Sequence, residues 1–84
     1  MTPIHQLLSR IRWDKEFGRG RFKIGYFDRH EGVIHRVALR EVAFPEDDRH
    51  AFEMGDESGQ LRRIPFHRVR EVVKDVQIIW QRPS

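Results

Sequence analysis

The strongest structural signal in the chain is RFKIGYFDR, residues 21–29, in which large apolar side chains recur at every second position. Successive side chains of an extended chain point to opposite faces, so this period of two predicts a β-strand with one buried face. That face would carry Phe22, Ile24 and Tyr26. Residues 30–32 have turn chemistry, and residues 33–37 are therefore predicted to return as an antiparallel strand.

Two further hairpins are predicted downstream. Residues 50–54 and 61–65 flank residues 55–59, a Gly-Asp-Glu-Ser-Gly segment whose composition is typical of a turn. Residues 71–74 and 76–81 are predicted to form the last pair of strands, around a Lys-Asp turn. The downstream half of the chain therefore has the pattern of a sheet built from short antiparallel strands.

Two connecting segments have weaker signals. Residues 38–44 fit either a short helical turn or a continued strand, and the polar residues 45–48 end that stretch. After Pro65, the three-residue spacing of Val69 and Val72 predicts one tight turn before the last hairpin. Both segments would connect strands.

Upstream of the strands, residues 2–12 have the period of an amphipathic helix. Apolar side chains recur at positions i, i+3, i+4 and i+7, namely Ile4, Leu7, Leu8 and Ile11. Thr2 is the predicted N-cap and Pro3 the first helical residue. Arg10 and Arg12 place positive charge at the helix C-terminus, where it complements the helix dipole. This order of elements predicts an α+β fold: an N-terminal helix packed on a bent antiparallel sheet, or partly open barrel, of five or six short strands.

The length of 84 residues fits one domain, residues 1–84, with a modest core. No apolar run is long enough to span a bilayer, and the first residues lack the pattern of a signal peptide, so a soluble, cytoplasmic protein without a membrane partner is expected. The chain contains no cysteine, which excludes disulfides, thiolate metal sites and a cysteine nucleophile.

The basic residues are strongly biased in type. Thirteen of the sixteen are Arg, and the formal net charge is +3. A planar guanidinium can grip phosphate or carboxylate with two parallel hydrogen bonds, whereas ammonium is a point charge, so the bias favours phosphate binding. A coding genome rich in G and C would produce the same bias, and composition leaves both explanations open.

Signals for enzymatic chemistry are weak. The five histidines have none of the common metal-ligand spacings, so no metal and no other cofactor are predicted, and four of them are expected to be exposed polar residues: His5, His30, His35 and His50. The chain also lacks a phosphate-binding loop, a nucleophile elbow and a dinucleotide fingerprint. No catalytic residue is assigned.

Two short segments could bind RNA. In residues 64–69 a rigid turn between apolar anchors would hold His67 beside Arg68, where the pair could bind a phosphate; a histidine that caps the turn fits equally well. At the end of the first strand, Tyr26 could stack on a base or ribose and Arg29 could reach a phosphate, with Asp28 orienting the arginine. Spacing alone favours a core position for Tyr26 and a solvated turn for its neighbours.

The tryptophans are expected to lie in the core or at its edge, because large aromatic side chains dominate the cores of small domains. Trp13 follows the predicted helix, next to Asp14 in a loop, and Trp80 lies in the last strand. Arg82 follows Trp80 by two residues and would share its face.

These residues together resemble the RNA cyclic group end recognition domain. The resemblance rests on Leu8, Ile-Arg-Trp-Asp at 11–14, Tyr-Phe-Asp-Arg at 26–29, Ile-Pro-Phe-His-Arg-Val at 64–69 and Trp-Gln-Arg at 80–82, in that order along nearly the whole chain. The polar residues that match these motifs are Asp14, Tyr26, Asp28, Arg29, His67, Arg68 and Arg82, and the aromatic ones are Trp13 and Trp80. Residues 45–50 and 55–59 look longer and more acidic than the family pattern, so no contact is carried over onto them.

The resemblance implies a stand-alone form of a domain that is elsewhere fused to RNA-processing modules. It implies a non-enzymatic module that recognises RNA 3′ ends, including 2′,3′-cyclic phosphate termini, in RNA processing or repair. His67, Arg68 and Arg29 would contact phosphate, while Tyr26 or a tryptophan would stack on a base. One alternative is a protein-interaction module that engages an RNA-processing enzyme through exposed strand edges. Another is an RNA-end phosphoesterase with His67 as general acid or base.

Overall fold

The computed structural model describes residues 2–82. One α-helix precedes six strands: α1 (Ile4–Trp13), β1 (Phe22–Asp28), β2 (Val33–Ala38), β3 (Ala51–Gly55), β4 (Leu61–Pro65), β5 (Val69–Lys74) and β6 (Gln77–Gln81). Two short 3-10 helices complete the fold, Leu39–Glu41 after β2 and Phe66–Arg68 between β4 and β5. The α+β prediction is confirmed.

The strands form two antiparallel sheets. The larger has the order β2-β1-β5-β6, and the smaller consists of β3 and β4. Strand β1 therefore lies between β2 and β5, with Tyr26 opposite His35 on one side and Val69 on the other. A single bridge between Ala43 and Glu53 adds to the β3 edge. Within residues 2–82 the two sheets do not join into a closed barrel.

The core lies between α1, the inner face of the larger sheet and the β3–β4 hairpin. The apolar residues predicted from the strand and helix periods are buried: Phe22, Ile24 and Tyr26 from β1, and Ile4, Leu7, Leu8 and Ile11 from α1. Phe52 and Ile64 of the smaller hairpin are also almost fully buried and belong to the same cluster. Burial of these side chains supplies the main driving force for folding.

Three local predictions are wrong: Thr2 as the N-cap, Pro3 as the first helical residue, and a turn that contains Val69 and Val72. The helix begins at Ile4, with Pro3 rather than Thr2 at the N-cap position and no side-chain cap. Val69 and Val72 lie in strand β5 and not in a turn, because the tight turn is the 3-10 helix that precedes them. The register shifts between Gly25 and Tyr26, which leaves one extra β5 residue between Val69 and Glu71. This bulge gives both valines an inward direction at a spacing of three.

Gly25 permits a close approach at the centre of the larger sheet. It lies opposite Arg36 of β2 and Glu71 of β5, and these two side chains form an ion pair with 2.7 Å between Nε and Oε2. A methyl group on Gly25 would collide with Cγ of Glu71, whose side chain is buried. The absence of a side chain at this position therefore makes room for the ion pair.

No helix within residues 2–82 combines the length and hydropathy that a membrane crossing requires.

Replacing Gly25 with Ala should destabilise the fold by about 1–3 kcal/mol, because the added methyl group overpacks the space that Glu71 occupies. The free energy of unfolding can be measured by urea denaturation. Gly55→Ala is the matched control, since a methyl group there meets no atom within 4 Å. Equal stability of the two variants would contradict the close approach at Gly25.

Candidate nucleic-acid interface

The fold brings two of the sequence motifs side by side. Residues 26–29 end strand β1, and the 3-10 helix Phe66–Arg68 leads directly into β5. Because Tyr26 is paired with Val69, the last residues of β1 lie next to His67 and Arg68 in the structure. The C-terminal motif joins them, since the backbone N–H of Arg82 donates to the carbonyl of Arg70, 2.8 Å away.

Two guanidinium groups converge on one backbone carbonyl at this place. Nη1 of Arg70 donates to the carbonyl oxygen of His67 at 3.0 Å, and Nη1 of Arg82 donates to the same oxygen at 2.8 Å. We call His67, Arg70 and Arg82 the arginine cluster. Each guanidinium has several N–H donors and uses one of them here, so further donors stay available to a ligand.

The electrostatics of the arginine cluster favour an anion. Neither Arg70 nor Arg82 forms an ion pair with a carboxylate of residues 2–82, although Arg10, Arg36 and Arg63 each do. Two like charges held near one carbonyl repel each other, and a bound anion would relieve that repulsion. Phosphate and carboxylate oxygens match the planar fork of a guanidinium.

Aromatic rings line the same cluster. The guanidinium carbon of Arg70 lies 5.7 Å from the centre of the Phe27 ring, and that of Arg82 lies 5.2 Å from the Trp80 ring. Cation–π attraction at such distances helps to fix the direction of a guanidinium. Phe27 is half-buried, so part of its ring is open to a ligand.

Arg70 is the residue of this cluster that the sequence analysis missed. The available signal was the pairing of the last two strands: in an antiparallel hairpin, a residue just past the end of one strand faces the start of the other. The predicted strands, residues 71–74 and 76–81, stop one residue short of Arg70 and Arg82, which the structure places next to each other.

Besides Arg82, three further residues are predicted to bind phosphate, and they belong to the two neighbouring motifs. Arg29 directly follows β1, and His67 and Arg68 are part of the 3-10 helix. The side chains of Arg29 and His67 are exposed and that of Arg68 is half-buried. His67 enters the cluster through its backbone carbonyl, which leaves its imidazole without a hydrogen-bond partner among the described residues.

Tyr26 and Asp28 lie on the inner side of the sheet, away from Phe27. Tyr26 is 4% exposed, and its ring packs edge-on against Phe52 and tilted against His35, with centroids 6.0 and 5.9 Å away. Burial raises the pKa of the Tyr26 hydroxyl. The small exposed fraction of Tyr26 leaves little of this ring accessible for the predicted stacking of a base.

The Asp28 carboxylate closes the turn between β1 and β2. Its Oδ1 accepts hydrogen bonds from the backbone N–H groups of His30 at 2.8 Å and Glu31 at 3.3 Å. These bonds, that of His30 above all, hold the pKa of Asp28 below its usual value. Asp28 therefore stabilises the turn that follows it. Within residues 2–82 its carboxylate does not form the expected pair with Arg29.

Tyr26 and Asp28 also line an open cavity of about 600 Å³ between β2 and the β3–β4 turn. Its carboxylates outnumber its basic groups: Asp28, Glu31, Glu41, Asp56 and Glu57 face His35, Arg36 and Arg62. A cavity of this charge repels phosphate. The predicted phosphate-binding residues therefore divide between two places, and the arginine cluster is the one that suits an anion.

Asp28, Glu31 and His35 form one group of metal-ligating residue types, with ligand atoms within 4.8 Å of one another. His35 Nε2 is 2.8 Å from Glu31 Oε2 and 3.6 Å from Asp28 Oδ2. Together with the backbone bonds to Asp28, these contacts explain the group as a closure of the β1–β2 turn. We assign no metal to it.

The remaining motif residues have separate positions. Trp80 is buried, and its Nε1–H donates to the carbonyl of Thr2 at 2.7 Å, which ties β6 to the start of α1. Asp14 accepts hydrogen bonds from the backbone N–H groups of Phe17 and Glu16, both at 3.1 Å, and these bonds lower its pKa. Trp13, which was expected in the core or at its edge, is instead 74% exposed.

A known protein family matches this chain over nearly its whole length. The family description "MJ1316 RNA cyclic group end recognition domain" matches residues 1–82. No curated protein and no solved structure matches the chain.

The hydrogen bonds to Asp28 make a pH-dependent contribution to stability. Because its folded pKa lies below the ordinary 3.8, the ionised carboxylate stabilises the fold above that value, and this stabilisation is lost as the pH falls through the folded pKa. Wild type should be more stable than Asp28→Asn at about pH 5, and the difference should shrink below about pH 4. Urea unfolding across this range measures it, and a constant difference down to about pH 3 would contradict the assignment.

Proposed function

The chain belongs to the MJ1316 RNA cyclic group end recognition domain family, and from this premise we propose that it binds RNA ends that carry a 2′,3′-cyclic phosphate. One structural observation supports a location for this activity in the chain. It is the convergence of Arg70 and Arg82 on the carbonyl of His67, without a carboxylate partner among residues 2–82. The terminal phosphate would bind to these two guanidinium groups.

The chemistry of a cyclic phosphate fits such a pair. The group is a phosphodiester with a single negative charge and two oxygens outside the ring. Each oxygen can accept a charge-assisted hydrogen bond, and such bonds are about twice as strong as those between neutral groups. Arg70 and Arg82 already share one acceptor, so their positions are set before a ligand binds and little side-chain entropy is lost on binding.

Charge alone does not favour the cyclic end over an open one. A linear phosphate monoester carries about −1.5 to −2 charges at neutral pH, so a purely electrostatic site would bind it more tightly than the cyclic diester. A preference for the cyclic end requires a contact that is more favourable with a group of lower charge and weaker hydration. The exposed part of the Phe27 ring, next to Arg70, is suited to pack against the fused ribose and phosphate rings.

Neighbouring basic side chains would bind the rest of the terminal nucleotide. The side chains of Arg29 and Arg68, together with the imidazole of His67, would contact the preceding phosphate or the ribose oxygens. In this arrangement Phe27 takes the aromatic role that the sequence analysis gave to Tyr26, because Tyr26 is packed against Phe52. The activity proposed is binding without conversion, so the RNA should be recovered intact from the complex.

Arg70→Gln and Arg82→Gln should each weaken binding of a short cyclic-ended RNA by about tenfold or more, because each removes a hydrogen bond to a charged group. Fluorescence anisotropy with a labelled oligonucleotide measures the affinity, and urea denaturation verifies that the variants fold. Arg63→Gln is the matched control, because Arg63 pairs with Asp47 and Glu53 on the other sheet. If both cluster variants fold and bind as wild type does, the assignment of this site is wrong.

Phe27→Leu tests the source of end preference. The ratio of affinities for cyclic-ended RNA and the same RNA with an open 3′-phosphate should fall towards that of a purely electrostatic site, since leucine offers no flat ring. Arg70→Gln and Arg82→Gln should instead weaken the binding of both RNAs by a similar factor. If the ratio is unchanged in Phe27→Leu, the Phe27 ring does not contribute to the preference for the cyclic end.

A further inference from the structure

A second basic surface lies at the other end of strand β1. A groove of about 820 Å³ is bounded by the end of α1, the start of β1, the 3-10 helix Leu39–Glu41 and the β5–β6 turn. This volume is within the range of ordinary ligand sites. Its charged lining consists of four basic residues, Arg12, Arg21, Lys23 and Arg40, and one acidic residue, Asp75. We call it the basic groove.

The charges of the basic groove are not neutralised within the described chain. None of its four basic side chains forms an ion pair with a carboxylate of residues 2–82. Oδ1 of Asp75 accepts the backbone N–H of Arg21 at 3.0 Å, which fixes this carboxylate in the turn. The groove therefore keeps a positive potential that attracts a polyanion.

Aromatic side chains lie beside these charges. The guanidinium carbon of Arg12 is 4.4 Å from the centre of the Phe44 ring and 5.3 Å from the centre of the Trp13 ring. Trp13 is 74% exposed, although a tryptophan of a small domain is ordinarily buried. Basic side chains that follow a phosphate backbone, next to aromatic rings on which bases stack, are typical of single-strand binding.

We propose that the basic groove binds the phosphodiester backbone of single-stranded RNA upstream of the recognised end, with Lys23 and Arg40 on phosphates and Trp13 stacked on a base. The choice of RNA as the polyanion rests on the proposed function. Strand β1 connects the two places: Phe22 lines the groove, and Asp28 ends the strand beside the 3-10 helix Phe66–Arg68. Six residue steps of about 3.3 Å separate them by about 20 Å.

This separation makes RNA length diagnostic. A cyclic-ended dinucleotide is too short to occupy both sites, whereas about twelve nucleotides span the distance even at a stacked spacing of about 3.4 Å each. The longer RNA should bind wild type more tightly than the dinucleotide. Its affinity should also fall more steeply with salt, because each phosphate that is neutralised releases counterions from the strand.

Lys23→Gln and Arg40→Gln should each lower the slope of log affinity against log salt by about 0.7 for a twelve-nucleotide RNA, the value for one phosphate contact on a single strand. Their affinities for the cyclic-ended dinucleotide should stay at the wild-type value. Arg63→Gln removes the same charge outside the groove and should leave the slope unchanged. The groove would be overturned as a specific site if both groove variants kept the wild-type salt slope, or if Arg63→Gln lowered that slope by the same amount.

Trp13 gives an independent optical measurement. Stacking of a base should quench the emission of this exposed tryptophan when the longer RNA binds, and Trp13→Phe, which keeps Trp80, should remove the quenching. The dinucleotide should leave the emission of Trp13 unchanged, so any change that it causes in wild type should persist in Trp13→Phe. Equal quenching in Trp13→Phe would assign the signal to Trp80 and overturn the stacking contact.

The same titrations distinguish failure of this groove from failure of the end site. Preference for the cyclic dinucleotide over its 3′-hydroxyl form, with no gain from length, would overturn the groove and leave the end site intact. A gain from length that Arg40→Gln removes, without any end preference, would support the groove and overturn the end site. Absence of binding to every RNA would overturn both.

Discussion

Hydrogen bonding of β1 along both of its edges is the constraint on which the rest of the molecule depends. The strand must pair with β2 and with β5 while its inner side chains fill the core. At its centre this is possible only because Gly25 has no side chain, so the buried Glu71 can cross it and reach Arg36. The bulge that follows lies in β5, and it gives Val69 and Val72 the same inward direction at a spacing of three residues.

The alternation of side chains along β1 separates two kinds of chemistry. On the inner side, Tyr26 and Asp28 face an acid-lined cavity, and the Asp28 carboxylate holds the β1–β2 turn together. On the outer side, Phe27 lies against Arg70. The modest net charge of +3 conceals this arrangement, because acidic residues line the cavity, while arginines that form no ion pair within residues 2–82 lie at the two ends of the strand. Local charge, rather than net charge, governs where a polyanion can bind.

Most predictions that rest on local patterns were accurate, although Pro3 and not Thr2 is the N-cap residue. The helix and the hairpins follow from periods of 3.6 and 2 and from turn composition, all of which act over a few residues. The prediction for Val69 and Val72 failed because a bulge changes the period, and bulges depend on the partner strand. The two tryptophans could not be distinguished by composition. Trp80 is buried because its ring N–H finds the carbonyl of Thr2, a contact between opposite ends of the chain.

Local sequence patterns were sufficient to predict the fold class, the buried faces of β1 and α1, and the motifs of the family, because each is encoded in neighbouring residues. Which motif residues share a surface depends on the folded arrangement of the chain. This arrangement joined His67 and Arg82 with Arg70, which no motif contains, and it directed Tyr26 and Asp28 elsewhere. Strand pairing determines which backbone carbonyls lie within reach of a guanidinium, and strand pairing depends on residues that are distant in sequence.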